Sequence, residues 1–96
     1  MMYFVTRAID DAVLGRDGNW HKMFADVGEV KFFKRISNAQ KYGIGNIKES
    51  MYRPELGNMH SIGTVHAVRE GETPVPVLNA SHEGGWSVVS VNAVKK

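Results

Sequence analysis

Apolar and polar positions along the chain follow two different rhythms. Tyr3 to Ile9 (YFVTRAI) is a short run of aromatic and β-branched residues, which predicts a first strand. Short strands are also predicted from Trp20 to Phe24 and from Val30 to Phe33. Longer ones run from Met59 to Arg69, from Pro74 to Leu78 and from Trp86 to Val94 (WSVVSVNAV). The helical rhythm occurs once. Ala39, Tyr42, Gly43, Ile47 and Met51 recur at a spacing that places them near one face, which predicts a helix from Asn38 to about Glu49.

The punctuation between these runs agrees with them. Asp10-Asp11 ends the first strand, and Gly15-Arg16-Asp17-Gly18-Asn19 has the Asp-Gly chemistry of a hairpin. Asp26-Val27-Gly28 and Glu70-Gly71-Glu72 read as turns, and Ser81 to Gly85 as a loop. Ser37 with Gln40 three residues on forms a capping box, so Ser37 is the expected N-cap. Pro54 stops the helix within the loop SMYRPELGNM. Pro74 and Pro76 cannot donate ladder hydrogen bonds, which sends their strand to a sheet edge or interrupts its pairing. Three successive strands joined by short turns make an antiparallel meander. The expected fold is α+β, an antiparallel sheet of about four to six strands with one helix packed on a face.

Within the helix, Gly43 and Gly45 pose a question. Each costs about 1 kcal/mol relative to alanine in a helix interior. Three explanations compete: close approach of the helix to the sheet, an early helix end at Gly43, or a partner resting on bare backbone. Close packing is the preferred one.

The length of 96 residues, with 43% hydrophobic and 23% charged positions, suits a single domain over 1–96 with its own core. No cysteine is present, which removes disulfides, thiolate metal sites and a thiol nucleophile. The N-terminal apolar run is interrupted at Arg7, too early for a secretory signal, and no segment approaches a membrane span, so a cytoplasmic location is expected and no membrane partner.

Chemistry-bearing patterns are sparse. His21, His60, His66 and His82 are scattered; on one strand His60 and His66 would stand about 20 Å apart, which is no ligand pair. No HExxH, CxxC pair, calcium loop or nucleophile elbow occurs, and neither a catalytic residue, a metal nor a cofactor is assigned. Charge is more informative. The net charge is +2, yet Lys31, Lys34, Arg35, Lys41 and Lys48 fall in a stretch without an acidic residue. VKFFKRISNAQKYG interleaves these cations with aromatic rings, which suits base stacking beside phosphates. It resembles the strand-to-helix passage of RNA-recognition motifs, without the glycines of that family's aromatic strand motif and without a second helix. Met51, Tyr52 and Arg53 beside Pro54 are residue types enriched at the centres of protein interfaces, and Trp86 behind Gly84-Gly85 is a second candidate anchor.

In size, layout and lack of catalytic motifs the chain resembles the small accessory proteins that bacteriophages encode to bind and modulate host machinery. That resemblance implies a protein partner. The sequence reading is therefore a non-enzymatic binding domain with Lys34, Arg35, Lys41, Lys48, Met51, Tyr52 and Arg53 at the contact. Nucleic acid bound by the segment from Lys31 to Lys48 is the alternative, and pairing of an edge strand with a second copy is compatible with the layout.

Overall fold

A computed structural model describes residues 1–22, 27–50, 62–81 and 85–89. Among these residues six strands and one helix follow in the order β1 (Met2–Arg7), β2 (Val13–Leu14), β3 (Trp20–His21), α1 (Ile36–Ser50), β4 (Gly63–Val68), β5 (Val75–Ala80) and β6 (Trp86–Val88). A 3₁₀ turn at Val27–Glu29 lies between β3 and α1. The strands form one antiparallel sheet in the spatial order β3-β2-β1-β4-β5-β6, with α1 lying across β1 and β4. The α+β fold and the β4-β5-β6 meander are as the sequence predicts.

Turn chemistry builds the first three strands. Arg7 donates to both carboxylate oxygens of Asp10 (2.8 and 2.6 Å), and Asp10 Oδ1 also accepts from the Ala12 amide. Asp11 takes a left-handed backbone at φ 57°. The chain therefore reverses and Thr6 pairs with Val13. In the β2–β3 hairpin, Gly18 adopts φ 83° and Asp17 Oδ1 accepts from the Asn19 amide. β2 is two residues long and was not anticipated, because so short a run carries no periodicity.

The segment expected as a strand from Val30 to Phe33 borrows its hydrogen bonds from two neighbours. Lys31 N–H donates to the Leu14 carbonyl, whereas Phe33 exchanges both backbone bonds with Tyr3. It fills the side of β1 that the short β2 leaves unpaired. Side chains then alternate: Phe33 joins the core beneath the helix, and Phe32 faces the opposite side of the sheet.

The core lies between the sheet and α1. Val5, Leu14, Val65 and Ile47 are fully buried there, at about 1.5–3 kcal/mol for each such side chain removed from water. Gly43 is buried against Val5, and a Cβ at Gly63 would collide with the Ile47 side chain. These two glycines let the helix sit low on β1 and β4. The early-ending alternative is excluded, since α1 runs on to Ser50. Gly45 is different: a Cβ there would meet nothing within 4 Å.

Two local expectations need correction. The helix starts at Ile36, with the Ala39 amide bonding to the Arg35 carbonyl at 3.3 Å. Arg35 thus occupies the cap, and Ser37 stands inside the first turn, where its hydroxyl serves no cap. The strand containing Pro76 is not a sheet edge, because β6 pairs with it from Leu78 to Ala80. Pro74 precedes the strand and Pro76 is its second residue, and among the described residues Val75 and Pro76 pair with β4 alone. Proline is accommodated by position along the strand instead of position in the sheet. A register shift between Val65 and His66 adds an extra residue in β5, so that Val77 and Leu78 both reach the core.

Candidate partner-binding surfaces

The outer face of α1 carries the predicted cations. Lys34, Arg35, Lys41 and Lys48 are all exposed, and among the described residues none makes an ion pair. Lys41 and Lys48 are seven residues apart and share a line along the helix. Gly45 falls four residues after one and three before the other, so it lies between them on the surface. Exposed Tyr42 and Glu49 complete the frame around this bare stretch of backbone. Lys34 and Arg35 lie at the helix N-terminus, where no acidic residue occupies the first turn. Cations there oppose the helix dipole instead of complementing it. The result is a positive shoulder continuous with a positive line.

Met51, Tyr52 and Arg53 lie outside the described residues, as do His60 and His82. Trp86 is half-buried and packs on the helix-side core.

Of the interleaved aromatics Phe32, Phe33 and Tyr42, only Tyr42 joins the cations on one surface. Phe33 is buried and Phe32 lies on the far side of the sheet, while Tyr42 remains exposed at 41%. Among the described residues Lys31 is the one basic residue of the segment that meets rings: its Nζ lies 5.4 Å from the Phe33 centroid and 4.9 Å from that of Tyr42. That contact is worth about 0.5–1 kcal/mol and fixes Lys31 in place.

The sheet face opposite α1 forms a second surface, which sequence reasoning missed. Phe4, Val13 and Val30 are buried there, with Phe32 and Val68 half-buried around them. Phe4 stacks on His66 (4.9 Å, 13°) and meets Phe32 edge-on (6.1 Å, 85°). Next to them opens a largely apolar trough of about 650 Å³, extending over Met1 and Met2 to the β4–β5 turn. A clue was present in the sequence: Tyr3-Phe4-Val5 is apolar without interruption, as a strand covered on both faces should be.

Both described histidines have side-chain partners. His21 Nε2 lies 3.0 Å from Asp17 Oδ1 and its Nδ1 lies 3.4 Å from Glu29 Oε2, so both ring nitrogens face carboxylates. The Asp17 hydrogen bond raises the His21 pKa, and Asp17 itself falls to about 2, chiefly through the Asn19 amide. His66 shares a 2.9 Å hydrogen bond with Thr6 Oγ1, and burial lowers its pKa. No group of three or more His, Asp or Glu residues is placed to hold a metal ion among the described residues. None of the described helices is long and apolar enough to cross a membrane.

Comparison with protein-family models, curated proteins and solved structures gives no match to this chain.

Proposed function

We propose that the protein is a non-enzymatic binding domain that docks an acidic surface of a partner protein against the outer face of α1. The observation that carries this reading is Gly45. It lies in the middle of an exposed helix face, framed by Lys41 and Lys48, with open space where a side chain would stand. Packing explains Gly43 but gives Gly45 no structural use, and the residue still costs the helix about 1 kcal/mol. Bare backbone between two unpaired cations allows an acidic segment to approach closely. The cations at the helix N-terminus extend the same complementarity.

A protein partner is favoured over nucleic acid by the separation of Phe32 and Phe33. Base stacking next to phosphate contacts needs rings and cations on one surface; here Phe33 is buried, the sheet stands between Phe32 and the lysine line, and of the three rings Tyr42 alone shares that surface, with Lys31 lying against it.

The test is affinity capture from the source lysate with the parent and with Lys41→Glu/Lys48→Glu, each followed by binding of mixed DNA and RNA over a salt series. A protein retained by the parent and released by the charge-reversed variant supports the reading. Nucleic-acid binding with a log–log salt slope of about −0.9 per phosphate contacted would replace it with the alternative.

A further inference from the structure

The open sheet face holds a second hollow beside the apolar trough. The trough encloses about 650 Å³ and its neighbour about 330 Å³, and both are walled by Val30 and Phe32. Their chemistry differs. Phe4, Val13 and Val68 line the larger one, whereas Arg16 and Lys31 line the smaller. We propose that the two together bind one molecule of an anionic amphiphile: an apolar chain in the trough, with a carboxylate or similar anion at Arg16.

The charge pattern along the face sets the direction of the ligand. At the far end of the trough, Arg69 is flanked by Glu70 and Glu72, so an anion there meets two carboxylates. At the near end no acidic side chain lines the smaller hollow among the described residues. Of the carboxylates adjacent to this lining in sequence, Asp17 is held by the Asn19 amide and His21 Nε2, and Glu29 by His21 Nδ1. Lys31 directs its Nζ to the rings of Phe33 and Tyr42 on the helix side, which leaves Arg16, exposed and without an ion pair among the described residues, to meet the head group.

Size and rigidity agree with such a ligand. The combined hollows fall in the usual volume range for a small-molecule site. From the Phe32 line across β1 and β4 to the start of β5 is three strand spacings, roughly 14 Å, which suits an extended chain of medium length. The floor is fixed in advance: Phe4 is clamped between the face of His66 and the edge of Phe32, and His66 is tied to Thr6. A rigid apolar floor keeps the ordering cost of binding low.

Titration of the intact protein with monomeric dodecanoate, followed by calorimetry and amide NMR, tests this. One saturable site is expected, with shifts at Phe4, Phe32 and Val68. Arg16→Glu should weaken dodecanoate by roughly fivefold, the scale of an exposed charge contact, and leave dodecanol unchanged. Phe32→Asp should abolish both, and Val68→Trp, which fills the trough without adding charge, should do the same if Phe32→Asp fails to fold. No saturable binding by the parent overturns the proposal. So does an unchanged affinity in Arg16→Glu, a shift pattern on the outer face of α1, or binding to anionic vesicles without uptake of the monomer.

Discussion

Gly43 rests directly on Val5: a Cβ built on the glycine would fall 2.8 Å from Val5 Cγ2 and 2.9 Å from Cγ1. Val5 is fully buried in the central strand and has no room to withdraw. The missing side chain is therefore what allows α1 to pack on β1 at this height. Gly43→Leu should destabilise the fold, since overpacking costs about 1–3 kcal/mol against roughly 1 kcal/mol of regained helix propensity. Denaturant unfolding measures this, and a variant as stable as the parent would refute the packing account.

Gly45 predicts the opposite sign. With nothing within 4 Å of its Cβ position, Gly45→Ala should raise stability by about 1 kcal/mol. The same variant should weaken partner binding, because its methyl stands between Lys41 and Lys48. Gain of stability with unchanged capture of the partner would remove Gly45 from the contact.

Charge reversal at Lys41 and Lys48 should leave the fold nearly intact. Both side chains are exposed and without ion pairs among the described residues, and surface changes of this kind usually stay within about 0.5 kcal/mol each. A collapse of the thermal midpoint would mean that these lysines hold the helix in place.

Ser37→Ala should cost nothing measurable. A capping serine is worth about 1 kcal/mol, but the helix begins one residue earlier and places Ser37 in its first turn. A loss near that magnitude in denaturant midpoint would restore the serine to the cap.

The two described histidines set opposing pH dependences. Burial lowers the folded pKa of His66, so its stabilising contribution is present above the ordinary value of 6.5 and is lost as pH falls through the lower folded value. Asp11 opposes this shift and reduces it. For His21 the folded pKa is raised, so its contribution is complete below 6.5 and is lost as pH rises through the raised value. Its Asp17 partner, at about 2, remains ionised throughout that range. The carboxylate partners of His21, Asp17 and Glu29, are exposed, so that pairing is screened by solvent and His66 should set the net sign. Stability should fall between pH 7.5 and pH 5, and His66→Gln should flatten that fall. An NMR titration placing the His66 midpoint above 6.5 would contradict the assignment.

Much of this arrangement was already legible in local sequence, because turns and helices are specified by neighbours in the chain. Asp10-Asp11 and Asp17-Gly18 fix their reversals through side-chain and backbone bonds spanning two or three residues. The spacing of Ala39, Gly43 and Ile47 selects the buried face of α1, and the exposure of Lys41 and Lys48 follows from it. Tertiary structure decided what depends on distant partners. Val30 to Phe33 has strand composition, yet its bonds go to Leu14 and Tyr3 in turn, a division that only the shortness of β2 imposes. Pro76 appeared to demand an edge, but the demand applies to single donors, and β6 could pair with the rest of the strand. The two glycines of α1 are identical in local sequence terms; one is needed because Val5 lies beneath it and the other has only solvent above it. The cluster of Phe4, Phe32 and His66 joins residues up to 62 positions apart. Its existence depends on which strands become neighbours, and no periodicity along the chain encodes that.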